Sequence, residues 1–339
     1  MKQIDGATGG GQVLRLGVAL AALEDSPIKI QNVRGERDTP GLRAQHVGAV
    51  ESVAALSNAE SDGVSVGSET VTFEPGEELG GNLAIDMKTA GSISLLFDAV
   101  LPLAIRTTET ISVQVTGGTD VKWSPPIDYL RHVKLPVLRQ FGLAVTLESV
   151  ERGFFPTGGG SATLTIKPSE IGPINCAERG ALEDIEIYSV ASADLADADV
   201  ATRQVDGVTK TLEKTVDVPI SEETSVVKTR STGTTILLVA KFEHSRAGFS
   251  ALGEPGWPAE EVGESAADSF LAFQSSPAAI ESHLADQLLP FLALQGGEVT
   301  SPRMTEHIES CLSLLNEFDY SVEVTYEPDR VRLSSARRT

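Results

Sequence analysis

Cysteine is nearly absent from this chain. Cys176 and Cys311 stand far apart in 339 residues. Two lone cysteines build neither a disulfide framework nor a cysteine zinc site, so both are expected as free thiols. Aromatic residues make up 5% of the chain. No apolar run approaches the roughly 18 residues of a membrane span. The N-terminal stretch MKQIDGATGGG has no apolar segment of the secretory kind, so a cytoplasmic location is expected. Positive charge is scarce as well: 27 Lys plus Arg face 48 acids, for a net charge of −21. Most of the basic residues are Arg, and the acids are spread along the chain. So acidic a surface excludes broad, charge-driven binding along a nucleic-acid backbone, leaving local contacts made by a few arginines at an end. The same balance resembles the proteins of salt-accumulating archaea, because salt screens self-repulsion.

What is present is a hydrophobic core fraction of 41% and a repeated pattern. The first unit, up to about residue 75, reads strand 2–5, helix GGQVLRLGVALAALE, strand IKIQNV, helix PGLRAQHVGAVESVAAL, then strands GVSVGS and TVTFEP. The second, from about 82 to 168, reads NLAIDM, AGSISLLFDAVLPLAI, ISVQVTG, PPIDYLRHVKLPVLRQFG, then AVTLESV and SATLTIKP. The third opens on a helix from AADSFLAF through HLADQLLPFLAL and continues with GEVTS, MTEHIESCLSLLNEF, SVEVTYE and RVRLSS. Each is βαβαββ, with helical spacing in the α parts and alternation in the β parts. The second helices start near Pro40, Pro125 and Arg303, and the second of those gaps is about twice the first. The surplus lies between 178 and 270, with strands IEIYSVASA, VDVPI and TTILLVAKF and a helix in ADADVATRQVDGVTKTLEK. This predicts an α/β protein with a large threefold-repeat domain, 1–177 plus 271–339, and a small inserted α/β domain, 178–270.

Several segments could carry chemistry. Asp5-Gly6-Ala7-Thr8-Gly9-Gly10-Gly11-Gln12 leads from a strand into a helix, where backbone N–H groups can meet an anion; a plain tight turn fits equally well. Arg34, Arg37 and Arg43 cluster before a helix that also carries Gln45 and His46. Guanidinium is a permanent, bidentate phosphate donor, and arginines clustered in so acidic a chain favour that use. Arg152-Gly153-Phe154-Phe155-Pro156-Thr157-Gly158-Gly159-Gly160 lies between two strands and reads on physics alone as a turn. His283-Leu284-Ala285-Asp286-Gln287 places polar residues beside an apolar helix face. His307 opens the last long helix; a single His is more often inert, yet imidazole can accept a phosphoryl-type group as a nucleophile. No histidine pair has zinc-protease spacing and no GxSxG elbow occurs.

Together DGATGGGQVLR, NVRGERDTPGLRAQH, TAGSISLLFDAVLP, GGTDVKWSPPIDYLRHV, RGFFPTGGG, HLADQLLP and the EHIESC segment resemble the RNA 3′-terminal phosphate cyclase family, in family order. The resemblance implies three repeats like the C-terminal domain of translation initiation factor 3, plus an inserted domain. It implies an ATP-dependent ligase that converts an RNA 3′-phosphate to a 2′,3′-cyclic phosphate through a His–AMP intermediate, with Mg2+ or Mn2+ alongside ATP. Carried over, His307 is the nucleophile; Arg15, Arg34, Arg37 and Gln45 hold phosphates or the RNA end; Asp98, His283, Leu284, Ala285, Asp286 and Gln287 meet the nucleotide. The metal ligands stay unknown, because the glycine loop is about two residues shorter than in the family and lacks its glutamate. Asp5 or Asp286 could stand in, or ATP phosphates and water could hold the ion. Asp98 replaces a glutamine common in the family. RNA 3′-phosphate ends are the expected partner, no membrane is expected, and a homo-oligomer is compatible with the sequence. A non-catalytic RNA-binding or ribosome-assembly relative is the alternative; an enolpyruvyl transferase, built on a related repeat, fits poorly with one large domain and this insert.

The charge balance makes a direct prediction. Folded ellipticity and activity should fall as KCl is dialysed away and return when it is restored. A chain that keeps both in buffer without added salt contradicts it.

Overall fold

A computed structural model describes residues 1–337. The first unit contains β1 (Lys2–Asp5), α1 (Gly11–Glu24), β2 (Ile28–Gln31), α2 (Ala44–Leu56), β3 (Glu60–Asp62) and β4 (Val71–Glu74). The second contains β5 (Gly81–Asp86), α3 (Ile93–Val100), a 3-10 turn (Leu101–Ile105), β6 (Ile111–Gly117), α4 (Ile127–Tyr129), a π-helical segment (Leu130–Lys134), α5 (Leu135–Gln140), β7 (Val145–Glu151) and β8 (Gly160–Ile166). After β9 (Ile174–Cys176) come β10 (Leu182–Ser192), α6 (Val200–Leu212), β11 (Ile220–Val227), β12 (Thr234–Phe242), β13 (Arg246–Leu252) and α7 (Ala259–Gln274). The chain closes with α8 (Ser282–Gln295), β14 (Gly297–Ser301), α9 (Glu306–Glu317), β15 (Glu323–Glu327) and β16 (Arg330–Ser335).

Four four-stranded mixed sheets result: β1-β2-β4-β3, β5-β6-β8-β7, β9-β14-β16-β15 and β11-β10-β12-β13. In the first three, one parallel pair (β1 with β2, β5 with β6, β9 with β14) is followed by two antiparallel ones. Their helices face inward together: α1 packs on α2, α3 and α9. The faces that meet are nearly all Ala, Val and Leu, such as Val18, Ala19, Leu20 and Ala21 of α1, each at 0% exposure. Small side chains let helices approach closely and exclude water along their whole length.

The fourth sheet is joined to the rest by the pleat of one strand. Along β12, Ile236, Leu238 and Ala240 enter a second core with Val205 and Val208 of α6 and Phe270 of α7. The alternate residues Leu237 and Val239 enter the main core. Period-two alternation therefore explains why TTILLVAKF is apolar throughout: both faces are covered. The outer face rests on the π-helical segment, where Tyr188 stacks on His132 with centroids 3.9 Å apart and Arg246 Nη1 donates to the His132 carbonyl at 2.9 Å.

Two local expectations change. The single helix expected through AADSFLAF and HLADQLLP is two, α7 and α8, parted at Ser275–Glu281. Pro277 there disfavours helical geometry in the residue before it, and α7 packs with α6 rather than with the third unit. The strand expected at GVSVGS lies earlier, at Glu60–Asp62, because Gly63 and Gly67 take φ of 75° and 86° and bend the chain. Cys176 and Cys311 are free and buried, and burial pushes the Cys176 thiol up to about 12. Among the described residues no helix is long and apolar enough to cross a membrane.

The segment RGFFPTGGG is held by an ion cluster. Arg152 Nη1 lies 3.1 Å from Asp120 Oδ2 and Nη2 lies 2.5 Å from Asp128 Oδ2, with Asp120 and Asp128 2% and 3% exposed. Removing one partner of a buried ion cluster strands the others without solvent. Arg152→Ala should therefore cost about 3–5 kcal/mol in chemical denaturation, and Arg152→Lys, which keeps the charge but not the fork, should fall between.

Candidate active site

The glycine turn 6–11 ends β1 and starts α1. Gly9 and Gly10 take φ of 68° and 59°, which L side chains avoid. Space forbids side chains too: a Cβ at Gly11 would come 2.2 Å from His46 Nε2, and one at Gly9 would come 2.8 Å from Ser310 Cβ on α9. The N-terminus of α1 has no side-chain cap; the Gln12 N–H turns back to the Gly9 carbonyl at 3.2 Å, and the positive end of the helix lies at the glycine turn.

His307 stands across this turn, in the first turn of α9, which Thr305 caps by accepting from the Ile308 N–H at 3.2 Å. His307 Nδ1 is 2.9 Å from Gln12 Oε1. An amide oxygen only accepts, so Nδ1 carries the proton and Nε2 keeps a free lone pair. The His307 pKa lies below the ordinary histidine value; desolvation is the main cause, followed by the positive fields of His283, Arg15 and Arg37, against a smaller opposing effect of Glu306. The ring is therefore neutral near pH 7.

The arginines divide their tasks. Arg37 is exposed, and its Nη2 would lie 3.2 Å from a Cβ at Gly10, so its guanidinium covers the glycine turn. Arg34, at φ 58°, gives Nη1 to the carbonyls of Thr39 and Gly41 at 3.0 and 2.8 Å and thereby braces its own loop. Arg15 rises beside Gly11, with Asp98 and Asp286 near enough to offset the burial that lowers its pKa. His46 is 3% exposed, and its Nδ1 accepts from the Arg43 N–H at 2.9 Å. Desolvation, then Arg15, Arg34 and Arg43, bring His46 to about 3, so it is a neutral wedge under the turn. Gln45 Oε1 accepts from the Ser92 N–H at 3.3 Å, tying α2 to the start of α3.

Under this surface lies a polar layer. Lys134 Nζ is 2.6 Å from Asp98 Oδ1. Glu281 caps α8, its Oε1 accepting from Leu284 N–H at 2.8 Å and its Oε2 from His283 N–H at 2.6 Å, and it also accepts from the Tyr129 hydroxyl. Asp286 is pushed well above the ordinary carboxylate range by desolvation, then by Glu281 and Asp98, with Lys134 and Arg15 opposing.

The structure thus brings His307, Arg15, Arg37, Gln45 and His283 to one surface, with Asp98 and Asp286 beneath it. Leu284 and Ala285 are both 0% exposed, so their side chains belong to the core and offer nothing to a ligand. Gln287 is half-buried on α8. Gln12 and His46 lie in the candidate segments, but the sequence assigned neither a role; the cue for Gln12 was its place directly after three glycines. Among the described residues no three His, Cys, Asp or Glu side chains converge as a metal site. Asp5 Oδ1 accepts from the Ala7 N–H and the Asn32 amide at 3.0 and 3.3 Å, and desolvation raises the Asp286 pKa.

Comparison with known proteins places the chain in a family. The family described as RNA 3'-terminal phosphate cyclase matches residues 7–325. A relative from Halobacterium salinarum, named RNA 3'-terminal phosphate cyclase, is 46% identical over 99% of this chain and 100% of its own. Relatives of the same name from Pyrococcus furiosus and Archaeoglobus fulgidus are 40% and 39% identical, covering 93% and 94% of this chain and 92% and 95% of theirs. Among solved structures, the enolpyruvyl transferase NikO from Streptomyces tendae superposes with a TM-score of 0.38 at 14% identity, over 99% of this chain and 49% of that one.

The buried layer predicts a pH effect. An acid whose pKa rises on folding stabilises when protonated; that contribution is full below the unfolded value of 3.8 and is lost as pH rises through the folded one. Asp286→Asn should therefore gain in Tm over the parent as pH goes from about 4 to 8, the gain coming from relief of an unfavourable buried charge. A constant difference across that range would contradict the assignment.

Proposed function

The chain belongs to the RNA 3′-terminal phosphate cyclase family, and we propose that it converts an RNA 3′-terminal phosphate to a 2′,3′-cyclic phosphodiester at the expense of ATP, with His307 as the nucleophile. The observation that carries this is the orientation of His307: Nδ1–H held by Gln12, Nε2 free, and the ring kept neutral beside arginines and an uncapped helix N-terminus.

The reaction follows in three displacements. Nε2 attacks the α-phosphorus of ATP; an N–P bond forms and pyrophosphate leaves. As the nitrogen becomes cationic, Gln12 Oε1 holds the Nδ1 proton in place and steadies the imidazolium. An oxygen of the RNA 3′-phosphate then attacks the same phosphorus, breaks the N–P bond and restores neutral His307. The 2′-OH of the terminal ribose attacks the activated 3′-phosphorus, AMP departs with the bonding pair, and the hydroxyl proton passes to solvent or to the departing phosphate. Nucleophile and phosphorus share one ribose in that last step, so proximity supplies much of the rate.

The N–H groups of the glycine turn and Arg15 and Arg37 suit the charge that builds on phosphate oxygens. Arg34 joins them through Nε and Nη2 while Nη1 braces the loop. Gln45, Gln287 and His283 serve as polar contacts, and Asp98 and Asp286 as a floor that positions Arg15. Mg2+ or Mn2+ would supply further charge neutralisation on the ATP phosphates, held by Asp5 or Asp286 or by the phosphates and water. Cytoplasmic work in concentrated salt matches the composition. Three repeats akin to the C-terminal domain of translation initiation factor 3 form the catalytic domain, 1–177 and 271–339. The insert spans 178–270 and carries the rest of α7 with it, as the separate apolar cluster supports.

Incubation with α-labelled ATP and metal should give an acid-labile, base-stable protein–AMP adduct that His307→Ala abolishes. Because His307 titrates below its ordinary value, adduct formation should persist below pH 6.5 and fall only at more acid pH. Arg37→Ala should slow cyclisation by about 100-fold or more, the scale of one lost transition-state charge contact, with little change in Tm. A parent protein without adduct would instead favour a non-catalytic RNA-binding role.

A further inference from the structure

Two of the chain's few aromatic side chains stand out in water. Trp123 is 95% exposed and Phe155 is 68% exposed. They sit on turns that emerge side by side, because Asp120 and Phe154 form a parallel β-bridge where both turns begin. Trp123 takes φ 61°, a conformation that a bulky residue avoids, in a turn closed by Ser124 Oγ donating to the Val121 carbonyl at 2.9 Å. An apolar ring that is both strained and solvated contributes nothing to the core, so its use lies outside the fold.

Contacts connect these turns to the His307 surface. Gln45 accepts from Ser92, and Ser94 Oγ donates to the Pro125 carbonyl at 2.6 Å, just beyond Trp123. On the other side, a Cβ at Gly158 would come 2.8 Å from Ala90 Cα, and the stem of Arg230 lies over Gly159, 2.6 Å from where a Cβ would be. Arg230, on the loop between β11 and β12, and Lys88, beside Ala90, are exposed, and neither forms a salt bridge among the described residues. In a chain of net charge −21, unpaired cations beside exposed rings match a polyanion that carries flat apolar faces.

We propose that Trp123 and Phe155 form a stacking platform for the unpaired bases just upstream of the RNA 3′-phosphate, with Arg230 and Lys88 on the backbone phosphates between them. The assignment rests on the cyclase reading of His307 and gives that reading its substrate class: single-stranded ends, read by stacking without base sequence. It also gives the insert a task, since Arg230 enters the path from there.

Two measurements test it, one independent of turnover. In a Trp257→Phe protein, Trp123 is the sole tryptophan; adding 3′-phosphorylated single-stranded RNA of about eight nucleotides should quench its fluorescence, and a blunt duplex should not. Separately, KM for cyclisation should be lower for that octamer than for a dinucleotide 3′-phosphate. The Trp123→Ala/Phe155→Ala protein should lose about tenfold or more of that length advantage, as expected for one or two lost base–aromatic stacks. Trp123→Phe should recover much of it, and Tyr326→Ala, which removes an equally exposed ring on β15, should not alter it. Unchanged fluorescence, equal response to duplex, or an intact length advantage in the double variant overturns the platform. A parent protein that quenches but forms no cyclic product overturns the cyclase reading and leaves the platform standing as an RNA contact.

Discussion

A layer of buried charge where the three repeats meet constrains what lies above it. Arg15 comes from the first unit, Asp98 and Lys134 from the second, Asp286 and Glu281 from the third. Acids outnumber bases in this layer, and desolvation together with Glu281 and Asp98 pushes the Asp286 pKa well above the ordinary carboxylate range. Such a layer contributes little net stability, because desolvation offsets attraction. What it does is fix relative position: α1, α3 and α8 cannot slide without stranding a charge. The His307 surface is assembled from the outer ends of those helices and α9, and so inherits their register.

The same logic applies at the rim. The glycine turn, α9 and the Arg34–Arg37 loop are separate in sequence and meet without room for one Cβ at Gly9 or Gly11. His46 fills the remaining space as a neutral ring, since burial disfavours its charged form and Arg15, Arg34 and Arg43 repel a further positive charge. Positive potential is thereby confined to a small area of an acidic molecule. That suits a reaction on one phosphorus at a chain end, and it disfavours binding along a duplex.

Much of this was legible from residue order. The strand–helix alternation and the extra strands and helix between the second and third units follow from periodicity. The break between α7 and α8 was also written in the chain, at Ser-Ser-Pro, but helical spacing on both sides masked it. Leu284 and Ala285 were misleading for a related reason. A motif marks a stretch of helix, and only packing tells which of its faces is outside. Asp98 and Arg34 look like free ligands in sequence, yet the first pairs with Lys134 and the second braces carbonyls of its own loop.

By itself the sequence determined most of the elements and their order along the chain, because these depend on local propensity and on apolar spacing. It could not determine which nitrogen of His307 is free. That follows from Gln12, nearly the whole chain away, and a hydrogen bond across such a separation exists only once three units have closed on one another. Nor could it show that Trp123 and Phe155 stand out in water on adjoining turns, or that burial raises the Asp286 pKa. Exposure, tautomer and protonation are properties of a folded environment, set by desolvation and by neighbours that only tertiary structure supplies.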